Sequence, residues 1–148
     1  WLPADARLVR RGARLVLESS MAVIGLGVDV VDIARAEAML VDHRKRVLER
    51  LLTAAELGYV MSMPHPPRHL AVRLAAKEAV YKALQTLPEA RAIGWREIEV
   101  VKVAHGRPEI ALAGLAERVF GSLPGASIKV SLTHSDLSAV AVAIVEAP

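Results

Sequence analysis

The chain has 148 residues, 53% hydrophobic but only 3% aromatic, with no cysteine and a formal net charge of +3. That length fits one domain with an aliphatic, alanine-rich core. It excludes disulfides, thiolate metal sites and a cysteine nucleophile, and no apolar run approaches the ~20 residues of a membrane span. Basic residues gather near the N-terminus and at Arg44, Lys45, Arg46 and Arg50. Such a cluster suits an anionic partner (nucleic acid, a phosphorylated ligand or an acidic protein) or is a solvated helix face.

Residues 1–20 differ from the rest. Arg7, Arg10, Arg11 and Arg14 make them basic, and Leu8, Val9, Leu15, Val16 and Leu17 are compatible with a short amphipathic helix. We read 1–20 as an extension outside the core fold and 21–148 as the single domain. A docked helix or a targeting remnant is the alternative. Ala22 to Val31 is apolar on both faces and predicts a buried strand. Gly25 and Gly27 mark close backbone approach. Asp29 stands alone in this run, either as a hydrogen-bonded structural aspartate or as a metal ligand or catalytic acid.

Asp32 can cap a helix over Ile33 to Leu40 that carries Arg35. A basic helix follows, from His43 to Leu52, with Val47, Leu48, Leu51 and Leu52 inward. Thr53-Ala-Ala-Glu56 is a capping box, so another helix runs from Ala54 to Met61. Pro64, Pro66 and Pro67 then break the chain before a long helix, Arg68 to Leu84. Val72, Ala75, Ala76, Ala79 and Ala83 share one side of it, and so many alanines leave only a narrow gap to whatever packs there. Glu78 lies among apolar neighbours and so needs a cation. Lys82 is one turn further on.

Trp95 to Val103 reads as a strand. His105 to Pro108 is a turn, and Glu109 to Leu112 pairs back as a hairpin. Leu115 to Phe120 is a short helix. Ser127 to Leu132 and Ser138 to Glu146 are strands joined by the polar turn Thr133 to Asp136. Strands this close in sequence pair antiparallel, which makes the fold α+β.

Asp29 and Glu78 together suit magnesium, which takes oxygen ligands and shares substrate phosphates. Ser131-Leu-Thr-His-Ser135 offers hydroxyls, an imidazole and turn amides suited to phosphate, or is plain turn chemistry. A serine hydrolase is disfavoured because no G-x-S-x-G elbow occurs.

In chain order, Gly25-Leu-Gly-Val-Asp29 with Ile33, Arg73-Leu-Ala-Ala-Lys-Glu-Ala79 with Lys82-Ala83, and Val130-Ser-Leu-Thr-His134 resemble the holo-acyl-carrier-protein synthase family of 4′-phosphopantetheinyl transferases. Leu51-Leu-Thr53 with Glu56, and Gly106-Arg-Pro108, add weaker matches. The resemblance spans Met21 to Glu146. It implies an antiparallel sheet packed against one long helix and several short ones. It also implies transfer of the phosphopantetheine arm of coenzyme A to a serine of an apo acyl carrier protein, in fatty acid or polyketide biosynthesis.

By the same resemblance, Asp29, Glu78 and Lys82 are catalytic, and Asp29 and Glu78 hold Mg2+. Lys82, Arg73, Arg107, Ser131, Thr133 and His134 contact coenzyme A. Arg35, Arg44, Arg46 and Arg50 meet the carrier protein. The implied assembly is a cytoplasmic homotrimer with sites between subunits and no nucleic-acid or membrane partner. Three positions depart from the family pattern. Leu74 replaces an aromatic residue, Arg107 replaces a lysine, and Gln85 to Gly94 replaces a glycine-rich turn, which puts the nucleotide-base contacts there in doubt. The rival reading is a basic, non-enzymatic module binding nucleic acid or another polyanion. An inactive structural subunit is disfavoured by the intact acids and Lys82.

Overall fold

The computed structural model describes residues 6–41, 45–102 and 106–148. Strands β1 (Ala6–Arg11) and β2 (Arg14–Ser19) form an antiparallel hairpin. Residues 6–19 are therefore not the amphipathic helix that their apolar residues suggested. Gly12 takes a positive φ of 67° at the turn, a conformation glycine adopts without strain, and the chain reverses there.

The core sheet has β3 (Ala22–Asp32), β7 (Ser138–Ala147) and β6 (Ser127–His134), in the order β3-β7-β6 and antiparallel throughout. Its register puts Val28 opposite Val142 and Ser131, and Val30 opposite Val140 and Thr133. One row over, Asp29 lies level with Ala141 and Leu132. Side chains alternate across a sheet, so these rows face opposite ways. The inner face carries Gly25, Gly27, Ala141, Ala143 and Val145, all buried. The outer face leaves Val23, Leu26, Val28 and Val30 exposed. β3 is thus buried on one side only, against the expectation of two buried faces.

Helix α4 (Pro66–Leu84) covers the inner face. Ala75, Ala76, Ala79 and Ala83 are fully buried, as their spacing predicted, with Val72 partly so. A Cβ on Gly25 would overlap the carbonyl oxygen of Ala83, and one on Gly27 that of Ala79. Glycine on the strand and alanine on the helix let the two backbones meet almost directly. This is the physical content of the close approach read from the sequence.

Around this layer stand α1 (Ile33–Val41), α2 (Lys45–Leu51), α3 (Ala54–Ser62) and α5 (Gly114–Gly121). The hairpin of β4 (Ile98–Lys102) and β5 (Pro108–Leu112) forms a separate sheet. Trp95–Glu97, expected to start the β4 strand, is a short 3-10 turn. Glu97 holds that turn by accepting from the N–H groups of Gly94 and Leu115, which keeps its carboxyl below the usual range. Leu48 and Leu52 are buried as expected, but Val47 is exposed. The capping box at Thr53 forms in full. The strand β6 runs on through Thr133 and His134, so the polar turn is narrower than expected. There the Ser135 hydroxyl accepts from the N–H groups of Leu137 and Ser138.

Candidate active site

The long helix presents three faces. The alanines meet the sheet. A second seam, Leu70, Arg73, Lys77, Val80 and Leu84, steps by three and four residues and is buried along its length. Glu78 lies between them, about 100° from Lys77 around the helix.

The second seam holds a buried ion pair that the sequence did not predict. Lys77 Nζ donates to Glu56 Oε2 at 2.6 Å with both side chains fully inaccessible. Glu56 also accepts from the N–H of Thr53 at 2.9 Å and of Val100 at 2.9 Å. Burial pulls the Lys77 ammonium below its ordinary pKa, and Glu56 opposes the shift. One turn earlier, the Arg73 guanidinium lies 3.9 Å from the centre of the Tyr59 ring, in cation–π range. His69 meets the same ring edge-on at 5.7 Å. Burial and then the charge of Arg73 push the His69 imidazole below its ordinary pKa. Glu56 was read as a helix cap and part of a weak family match, not as a buried ion-pair partner. Its place one turn before the buried Val60 was the available signal that it points inward.

Glu78 faces elsewhere. With Asp29 it lines a cavity of about 310 Å3 bounded also by Val30, Val31, Arg35, Met39, Leu51, Leu74 and Trp95. The structure thus brings together three predicted residues from β3, α1 and α4. Lys82 joins them. Its ammonium donates to Asp29 Oδ1 at 2.8 Å and to the Val28 carbonyl at 3.0 Å. A lysine has three N–H donors, so one is left for an anion. Among the described residues no hydrogen bond or ion pair engages Glu78, and Lys82 binds Asp29 instead.

Two carboxylates on one cavity fit a magnesium ion, which binds through one or two carboxylates and completes its shell with water and phosphate. Among the described residues no cluster of three or more His, Asp or Glu could form a complete protein cage.

The other predicted residues lie apart. Ser131 and Thr133 are exposed on the outer sheet face, turned away from Asp29 of the same chain. His134 is exposed at the end of β6, and Arg107 is exposed at the hairpin turn. Arg73 is 5% exposed against Tyr59. Arg46 and Arg50 are exposed on α2, while Arg44 lies outside the described residues.

Residues 25–143 match the model of the 4′-phosphopantetheinyl transferase superfamily. The chain belongs to that superfamily. It is 42% identical over 125 residues to a holo-[acyl-carrier-protein] synthase of Treponema denticola, covering 84% of this chain and 98% of that protein. It is 37% identical over 124 residues to that of Geobacter metallireducens, with the same coverage. Among solved structures, the acyl carrier protein synthase of Mycobacterium tuberculosis aligns with a TM-score of 0.62 at 37% identity, covering 86% of this chain and all of that one. A holo-(acyl-carrier-protein) synthase from Bacillus anthracis in complex with CoA (3′,5′-ADP) aligns with a TM-score of 0.68 at 26% identity, covering 87% of this chain and all of that one.

Proposed function

We propose that the Asp29–Glu78 cleft is where this chain moves the 4′-phosphopantetheine arm of coenzyme A onto a serine of an apo acyl carrier protein. The observation that carries this reading is that Asp29 and Glu78, from two motif blocks 49 residues apart (78 − 29), line one cavity, with Lys82 bonded to Asp29. The reaction breaks the bond between the β-phosphorus and the bridging oxygen of the diphosphate. It forms a phosphodiester to the serine oxygen and releases adenosine 3′,5′-bisphosphate.

Each residue has a physical task. Asp29 and Glu78 would hold magnesium, which when bound neutralises charge on the diphosphate. Lys82 neutralises the same phosphates with its remaining donor while its bond to Asp29 fixes its direction. Arg35 is exposed at the cleft rim, and Arg46 and Arg50 are exposed nearby in sequence on α2. We assign these arginines to an acidic carrier, whose docking aligns the serine.

We further propose a homotrimer. Leu26, Val28 and Val30 are each more than half exposed on a continuous apolar sheet face, the kind of patch that marks an interface. Ser131 and Thr133 share that face. A second subunit seated on it would bring their hydroxyls toward a neighbour's cleft, where their distance from Asp29 of their own chain ceases to matter. Among the described residues no helix is long and apolar enough to cross a membrane. We propose a cytoplasmic setting. We also propose that residues 1–20 stand outside the catalytic domain.

The test is incubation with coenzyme A, magnesium and an apo carrier, followed by intact-mass measurement of the carrier. The expected result is addition of one phosphopantetheine. No addition to any of a panel of carriers would overturn the reading.

A further inference from the structure

We infer that the buried Glu56–Lys77 ion pair is a positioning device: it sets the rotation of α4 so that Glu78 opens opposite Asp29. This rests on the reading of the cleft as the reaction site.

α4 is buried on most of its circumference. Its contacts with the sheet are alanine methyls over glycine, and its polar contacts with α3 are Lys77 with Glu56 and Arg73 with Tyr59. The fit of Ala79 and Ala83 over Gly27 and Gly25 sets the coarse rotation of α4, but apolar burial is non-directional and leaves smaller rotations open. A small turn would swing Glu78 away from Asp29, and a full step of about 100° would put Lys77 or Ala79 at the cleft instead. The pair removes that freedom. Glu56 is also held independently of Lys77, because its carboxylate accepts from the Thr53 N–H at the cap of α3 and from the Val100 N–H on β4. Lys77 then completes the set at 2.6 Å in a fully inaccessible site. Three elements thus meet at one carboxylate, and the residue bonded to it directly precedes Glu78.

A second contact repeats the arrangement. Glu56 and Tyr59 are three apart on α3, and Lys77 and Arg73 are four apart on α4. The pairs run in opposite directions, Glu56 with Lys77 and Tyr59 with Arg73. A buried pair of this kind adds little stability over a well-packed apolar substitute, and setting register is its best-attested use. Glu56 and Lys77 are therefore positioning residues, not catalytic ones.

The test replaces the pair as a unit. Glu56→Leu/Lys77→Met fills the site with apolar side chains. Glu56→Gln/Lys77→Met keeps one amide oxygen, which can accept from the N–H of Thr53 or of Val100. Leu70→Ala, a cavity in α4 two turns from Glu78, serves as a control for stability. Melting temperature, kcat and KM for coenzyme A, and Mn2+ binding by electron paramagnetic resonance are measured well below the melting range. The inference predicts that both paired variants lose at least about tenfold in kcat relative to a control of equal or lower melting temperature, with a small change in KM. It also predicts Mn2+ binding at least about tenfold weaker than in the parent. Paired variants with the kcat of the control and parent-like Mn2+ affinity would overturn it. A parent that binds no Mn2+ removes the metal assignment and leaves kcat to decide the inference. A parent that modifies no carrier removes both.

Discussion

Two charged regions sit side by side on α4 and are treated in opposite ways. At Glu56–Lys77 both charges are fully inaccessible, and the carboxylate has three partners. At the cleft, Glu78 is half-buried and none of the described residues holds it, while Asp29 has Lys82 but stays open to the cavity. Buried charge that is completely satisfied organises the fold. Charge that is partly desolvated and incompletely satisfied is available for chemistry. Because the first region orients the second, the more deeply buried acid acts through the less buried one.

The comparison can be broken from either side. The largest expected effect on stability is that of Lys77→Met, which leaves Glu56 buried without its cation. It should cost about 3–5 kcal/mol in denaturant unfolding. Gly27→Ala comes next, because its Cβ meets the Ala79 carbonyl and must push α4 off β3. A loss of roughly 1–3 kcal/mol is expected from such overpacking, read by the same unfolding curve.

Arg46→Glu acts at the surface. It should raise KM for the carrier several-fold at low salt and leave KM for coenzyme A unchanged. Equal rises in both would remove α2 from the carrier surface.

The smallest effect is that of His69, whose ordinary pKa of 6.5 is lowered by burial and by Arg73. The unfolded chain then binds more protons than the folded one, so stability is full above pH 6.5 and falls as pH drops through the folded pKa. His69→Gln should flatten the melting temperature between about pH 5 and 7. An unchanged slope would contradict the assignment.

What could be read from the sequence follows from the range of the interactions. The capping box, the alanine strip and the glycines of β3 were legible because each is a local spacing rule. Asp29 and Glu78 were legible as candidates because each interrupts an apolar run. That they share a cavity depends on how β3 lies on α4, which no local rule supplies. The Glu56–Lys77 pair joins residues 21 apart (77 − 56), and a capping role already accounted for Glu56. The outer face of β3 was read as buried because valine and leucine look alike whether they face a core or a partner surface. In residues 6–19 the apolar residues suggested a helix, but Gly12 sits where a two-residue turn closes a hairpin.

The most direct test compares Glu78→Gln with the parent in the carrier mass-shift assay, with melting temperature followed alongside. Loss of the charge but not the shape should slow transfer by about 100-fold or more and move the melting temperature by no more than about 2 °C. Parent-like transfer by Glu78→Gln would contradict the assignment of this cleft as the reaction site.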